Sequence, residues 1–224
     1  MGDQNSYVYI GTEFAQATAS PSHLFKFHMS EGGLRVPLII SGPEIKKGKN
    51  QNFTFVTDIA ATISDIVFDE VDERIIGKSL QNSLAGFDER NYLDSDSVGL
   101  EVTGNSALFK GDFKIVRNRP PNGSNQWELF NLSEDPGETI NLATSMPNKL
   151  LELIEEYEAY AEKNGVIELP LEYEWAAEMT VNTFKRNYLP LIRKAALFSI
   201  LAIFVVIVLA RRWRNAKIKK SYTS

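Results

Sequence analysis

The spacing of apolar residues along the chain changes character several times, and each change predicts a different element. Val36 to Ile40 (VPLII) is a short continuous apolar run that ends at Ser41-Gly42-Pro43, the pattern of a buried strand in a parallel sheet. Ile59, Ile63 and Ile66 then recur at helical spacing, which predicts a helix opening near Thr57-Asp58 with Thr57 as N-cap. From about Leu100 the texture becomes that of short strands. Ala107 to Phe109, Phe113 to Arg117 and Trp127 to Phe130 are separated by Gly111-Asp112 and by Pro120-Pro121-Asn122-Gly123, which are antiparallel hairpin signals. Pro147 starts a second helix, on which Leu150, Leu153, Ile154, Tyr157 and Ala161 form one stripe, and Gly165 after Asn164 ends it. That stripe predicts a helix lying over one face of the sheet. Residues 166 to 187 read as an acidic, then basic connector.

The last apolar stretch is of another kind. Ala195 to Ala210 (AALFSILAIFVVIVLA) is sixteen residues without a charge, apolar on all sides. At about 1.5 Å per residue it falls short of the roughly 30 Å hydrocarbon core of a bilayer. A transmembrane helix over 188–210 therefore recruits Leu189 to Ile192, with Arg193 and Lys194 snorkelling to the headgroups.

Charge supplies an orientation for that span. The formal net charge is −5, but no acidic residue follows Glu178, and ten of the 24 Lys and Arg lie from Lys185 onward. That leaves fourteen basic against 29 acidic residues before it, or about −15 against +10. Arg211, Arg212, Arg214, Lys217, Lys219 and Lys220 crowd the C-terminal tail. The positive-inside tendency puts this tail, 211–224, in the cytoplasm and the folded part on the periplasmic, lumenal or extracellular side. The expected partners are a lipid bilayer, whose anionic headgroups suit the tail, and no nucleic acid, given the acidic soluble region.

The most chemically suggestive stretch runs from Pro21 to Pro37, PSHLFKFHMSEGGLRVP. Glu31-Gly32-Gly33 is a turn signal, because paired glycines permit positive φ and close backbone approach. A lysine just before an apolar strand can hold its ammonium as a compact point charge toward an anionic oxygen. Lys26 taken alone reads as a solvated surface group, and its surroundings reverse that reading. The block resembles the arylsulfatases, whose late catalytic domain carries P-S-x-L-x-K-x-x-x-x-E-G-G-[IL]-R-V-P. The resemblance extends to Tyr9 to Gln16 (YIGTEFAQ), Phe55 to Ile66 (FVTDIAATISDI), Leu108 to Val116 (LFKGDFKIV) and Trp127 to Ala143 (WELFNLSEDPGETINLA), in the family's order.

The resemblance implies an α/β fold: the C-terminal part of an alkaline phosphatase-like sulfatase domain over 1–95, a small antiparallel sheet-plus-helix subdomain over 96–165, a connector over 166–187 and the C-terminal membrane helix. It also implies that the complete enzyme hydrolyses sulfate esters with a hydrated formylglycine nucleophile and Ca²⁺ on the sulfate oxygens. Lys26 would contact the sulfate, and Glu31, Gly32, Gly33 and Arg35 would shape the loop around it.

Two of the family's parts are not read in this chain. The chain has no cysteine, Ser41-Gly42-Pro43 lacks the arginine of the C/S-x-P-x-R motif, and Ser20-Pro21 has the wrong spacing. Asp3-Gln4-Asn5 has the wrong form for the calcium-site D-N pair, and neither a metal site nor a secretion signal is read here. His23 and His28 read as surface or packing residues, and Asp69-Glu70 with Asp72-Glu73 as a solvated face. Asn52, Asn122 and Asn131 open glycosylation sequons that matter only in a eukaryotic secretory route.

The expectation is thus a C-terminal portion of a membrane-anchored arylsulfatase-like hydrolase, inactive alone. The alternatives are a membrane-tethered non-catalytic interaction module and a phosphonate or phosphate ester hydrolase of the same superfamily. A sheet cut through its middle leaves an apolar edge, so this portion is also expected to fold poorly by itself.

Overall fold

The structure, a computed structural model, describes residues 10–43, 45–86 and 89–221, with backbone alone at 175, 176 and 215–221. Tyr9, the Asp3-Gln4-Asn5 stretch and the side chains of Lys217, Lys219 and Lys220 lie outside the described part. The chain divides into two units, Met1–Glu168 and Leu169–Ser224.

The first unit is organised around a four-stranded antiparallel meander, β1 (Ser97–Val102), β2 (Asn105–Lys110), β3 (Phe113–Arg117) and β4 (Glu128–Asn131), in that spatial order. Thr103 and Gly104, at φ +52° and +82°, make the two-residue turn that sets Val102 opposite Asn105, and the double positive φ matches the right-handed twist of the strands. Period-two alternation sorts the side chains onto two faces. On one, Leu108, Ile115 and Leu129 are fully buried against Leu153 and Tyr157. These belong to the helix α5 (Pro147–Asn164), which starts at Pro147 and ends with Gly165 at φ +66°. Its predicted stripe is the packing face, and each fully buried leucine or isoleucine contributes about 1.5–3 kcal/mol. On the other face, Ala107, Val116 and Phe130 pack against Met29, which comes from the Pro21–Pro37 block. Both faces of the sheet are covered.

Strand β1 was not legible in the sequence, because Gly99 interrupts its pattern. The glycine is required by packing: a Cβ there would lie 2.4 Å from the ring of Tyr160, whose hydroxyl donates to Glu101 at 2.8 Å.

Before the sheet come α1 (Thr12–Ala19), α2 (Glu31–Leu34), α3 (Val56–Phe68) and α4 (Gln81–Ala85). Three expectations are corrected here. Val36 to Ile40 is extended but forms no strand, and Val36, Leu38, Ile39 and Ile40 are exposed, since no described strand lies beside them to complete a ladder. The N-cap of α3 lies two residues earlier than read, at Phe55 rather than Thr57. Asp58 takes the capping role, accepting the Phe55 N–H at 2.7 Å. The isoleucine stripe of α3 faces water, whereas Asp58, Ala61, Thr62 and Ser64 are buried. Asp58 is a hub, accepting also from the Lys78 N–H at 2.9 Å and the Tyr92 hydroxyl at 2.6 Å.

The second unit holds α6 (Trp175–Asn187) and α7 (Leu189–Ser221). Part of the 166–187 stretch is helical, because Ala177, Val181, Phe184 and Tyr188 recur at helical spacing and α6 forms over them. Within α7, Leu189–Arg214 is 26 residues long, and its most apolar 18-residue window has a mean hydropathy of 2.4 with no part of it buried. It is long and apolar enough to cross a bilayer.

Candidate functional site

The Pro21–Pro37 block folds as a loop closed on itself. The Gly32 N–H donates to the His23 carbonyl at 2.9 Å, so Lys26 lies on a ten-residue excursion whose ends meet, the form of an Ω-loop. Leu24 and Phe27 flank the lysine at φ +57° and +80°, a conformation that non-glycine residues hold only where surrounding contacts impose it. Lys26 itself is exposed, with its Nζ 4.9 Å from the centroid of the Phe27 ring.

The glycine pair works differently from the sequence expectation. Neither Gly32 nor Gly33 has a positive φ, and both sit in the single turn of α2. They are glycines because the backbone approaches too closely for a side chain. A Cβ on Gly32 would lie 2.0 Å from the Leu24 carbonyl oxygen, and one on Gly33 would lie 2.2 Å from that of His28. Arg35 is exposed, and its N–H closes the turn on the Glu31 carbonyl at 2.8 Å.

Glu31 points away from solvent. Its Oε1 accepts from Lys114 Nζ at 2.8 Å, and that ammonium also lies 2.7 Å from Oε1 of Glu138. Glu138 closes the triangle by accepting the Glu31 N–H at 2.8 Å. All three residues are buried. One buried ammonium between two carboxylates has the geometry such a cluster needs, because separated charges in this interior would be costly. Close by, burial pushes the Glu128 carboxyl up; the charge of His23 opposes that shift and the charge of Glu138 adds to it.

Asparagines from the sheet and its loops bind two backbone groups and one hydroxyl of the excursion. The Phe27 carbonyl accepts from Asn105 Nδ2 at 2.7 Å, the Met29 N–H donates to Asn118 Oδ1 at 2.8 Å, and Asn118 Nδ2 donates to Ser30 Oγ at 2.9 Å. His28 is a buried packing residue, with Nδ1 2.9 Å from the Phe25 carbonyl and Nε2 3.1 Å from Asn122 Nδ2. A carbonyl can only accept, so Nδ1 carries the proton and Nε2 accepts from the amide. His23 is exposed.

The structure therefore brings Glu31, Gly32 and Gly33 together beneath Lys26 and leaves Lys26 and Arg35 in solvent. Sequence reasoning missed Lys114, Glu138, Asn105 and Asn118. A signal for Lys114 existed, since alternation in Phe113 to Arg117 places it on the same face as the apolar Val116, where a lysine requires a buried counter-charge. Among the described residues no group of three His, Cys, Asp or Glu is placed to hold a metal ion.

Comparison with known proteins fixes the relationship. No family model matches the chain. An uncharacterised sulfatase of Schizosaccharomyces pombe is 32% identical over 191 residues, covering 76% of this chain and 32% of that protein. The chain is a relative of the sulfatases. Arylsulfatase K of Xenopus laevis is 24% identical over 159 residues, which is 66% of this chain and 30% of its own length. This sulfatase relative thus spans about a third of the curated proteins it matches. Among solved structures, Ps i-CgsB superposes with a TM-score of 0.56 at 18% identity, over 76% of this chain and 38% of the other. A second, BT33336S-sulf, from work on glycosaminoglycan metabolism by Bacteroides thetaiotaomicron, gives 0.51 at 23% identity, over 60% and 31%. At these identities the superpositions establish a sulfatase fold, here a four-stranded antiparallel sheet with helices.

Proposed function

We propose that this chain is the C-terminal portion of a membrane-anchored hydrolase of sulfate esters, in which Lys26 supplies positive charge to a sulfate oxygen. The observation that carries the reading is the state of Lys26: an exposed ammonium on a loop whose His28, Ser30 and Glu31 are buried. A preorganised ammonium stabilises charge that develops on a transferring group without reorganising during the reaction. Glu31, Gly32 and Gly33 hold the loop, and Arg35 leaves it toward the extended segment at Val36.

The formylglycine and Ca²⁺ implied for the complete enzyme find no donor set among the described residues, so no step is assigned to them here. Their place is proposed to be upstream of this chain, and the active unit to be a longer polypeptide. Sequencing the source DNA upstream of the Met1 codon tests this. A frame continuing through a C/S-x-P-x-R motif and a D-N pair supports it; an immediate stop with a start signal at Met1 favours a tethered, non-catalytic module.

Membrane anchoring through Leu189–Arg214 is proposed from the length and hydropathy of that helix, and the basic tail supports a cytoplasmic C-terminus. The division at residues 95 and 165 into a catalytic and a smaller subdomain belongs to the same reading. Alkaline carbonate extraction tests the anchor, since an integral protein stays with the membrane pellet. Paired assays of the complete polypeptide on a sulfate, a phosphate and a phosphonate ester separate the remaining readings. Preferential sulfate turnover supports the proposal, preferential phosphate or phosphonate turnover transfers it to another ester, and no turnover leaves the module.

A further inference from the structure

We infer that Lys114 is a positioning residue for the anion site: its ammonium, buried on the far side of the loop, sets where Lys26 stands. The inference rests on the reading of Lys26 as the sulfate contact.

Lys114 lies opposite Phe109 on β2 and Phe130 on β4, and its Nζ is 4.8 Å from the Phe109 ring centroid. The aromatic residues fix its stem, so the ammonium has little freedom. Two carboxylates meet that fixed charge. Glu31 follows Lys26 by five residues on the same excursion, and Glu138 sits in a turn at φ +58°. Asp135 cages that turn by accepting the N–H groups of Thr139 and Ile140, each at 2.7 Å. The Lys26 loop is thereby tied to two independent parts of the sheet subdomain through a single ion cluster. Asn118 adds two hydrogen bonds on Met29 and Ser30, and Asn105 holds the Phe27 carbonyl beside the strained Phe27.

A surface lysine at the tip of an unsupported loop would spread over many positions. Here the positive-φ residues on both sides of Lys26 are held in place from below. Removing the ammonium takes away the donor that joins the Glu31 and Glu138 carboxyls, and a buried acceptor that loses its partner costs the site its anchor, which frees α2 and the loop from the sheet. A displacement of about 1 Å at a reacting centre can cost on the order of a hundredfold in rate. The sheet subdomain thus acts on the chemistry through Lys114, although Lys114 touches no substrate.

The test has two arms. In the first, hydrogen exchange is measured on the 224-residue chain in detergent micelles, comparing wild type with Lys114→Met, which keeps the stem length and removes the charge. The expected result is at least tenfold faster exchange at the Met29, Glu31 and Gly32 amides, with the Leu108 and Ile115 amides unchanged. Wild-type protection of those loop amides overturns the inference. In the second arm, turnover of a sulfate monoester by the complete polypeptide is measured for Lys26→Ala, Lys114→Met and the double variant. If Lys114 acts through Lys26, the double variant is scarcely slower than the worse single one; losses that multiply overturn the positioning role. Should Lys114→Met fail to fold, Glu138→Gln, which takes away one of the two carboxylates holding the ammonium, is read in the same way at the Met29 and Gly32 amides. An unaffected Lys26→Ala enzyme would refute the sulfate-contact reading alone, while the exchange arm still decides whether Lys114 holds the loop.

Discussion

Putting charge on the apolar surface that precedes the sheet subdomain in sequence should change how the chain associates without disturbing its core. Val36, Ile39, Ile63, Ile66 and Phe68 are 79%, 90%, 57%, 61% and 71% exposed. Full burial of one such side chain is worth about 1.5–3 kcal/mol. Discounted to the exposed fractions, the five leave roughly 5–10 kcal/mol of burial free energy unrealised, comparable to the whole stability of a typical domain. A surface of that kind is expected to self-associate when nothing covers it. The perturbation is Ile39→Glu with Ile63→Lys, two changes that put charge on the surface and touch none of the buried clusters. Sedimentation velocity in detergent micelles should show wild type as a mixture of oligomers and the double variant shifted toward single chains. Amide exchange of β2 and β3 should stay the same in both. Loss of sheet protection in the double variant would refute the reasoning, because it would mean that these side chains are packed; an unshifted oligomer distribution would refute it as well.

The buried contacts give further expectations. Gly33→Ala places a methyl 2.2 Å from the His28 carbonyl oxygen, an overpacking that costs about 1–3 kcal/mol and should appear as faster exchange at the Gly32 amide. Asp58→Ala leaves the Phe55 and Lys78 N–H groups and the Tyr92 hydroxyl without their acceptor. At about 1–3 kcal/mol per buried unsatisfied group, α3 should lose protection before the sheet does. Burial pushes the Tyr92, Tyr157 and Tyr160 hydroxyls up; for Tyr92 and Tyr160, hydrogen bonds to Asp58 and Glu101 add to the shift. An ultraviolet titration should therefore show three tyrosines ionising above the ordinary range, and restoring all of them to it would contradict these burials. The Asp96 carboxyl is held below its ordinary value, mainly by the hydrogen bond from Lys78. A depressed carboxylate pKa stabilises the fold above the unfolded value, and that contribution disappears as pH falls through the folded one. The Lys78–Asp96 corner should therefore stay ordered at pH 5 and loosen only on acidification below the usual carboxylate range, as read by the Leu93 amide.

The elements legible in the sequence were those whose partners lie close along the chain. The hairpin strands β2 and β3 and the helix from Pro147 to Gly165 with its stripe meet one another within residues 97–165, with Met29 added on the far face of the sheet. The misread elements depend on something else. Val36 to Ile40 has the composition of a strand, but a strand is defined by its ladder, and among the described residues nothing pairs with it. The α3 isoleucines have the spacing of a core face and meet water for the same reason. Strand β1 was hidden because Gly99 is chosen for the Tyr160 ring, a contact across about sixty residues of sequence. At the site, Lys26 and the glycine pair were visible as a local motif. Lys114 and Glu138 were not, because a buried charge is recognised only with its partner, and Glu31 lies 83 residues from Lys114.

The most direct test of the account is the turnover of a sulfate monoester by the complete polypeptide that contains this chain, compared between wild type and Lys26→Ala. Removing one preorganised electrostatic contact from a transition state typically costs about 10²–10³ in kcat, so a loss of that order, with the sheet amides still protected, is the predicted result. Turnover unchanged in Lys26→Ala would contradict the role assigned to Lys26.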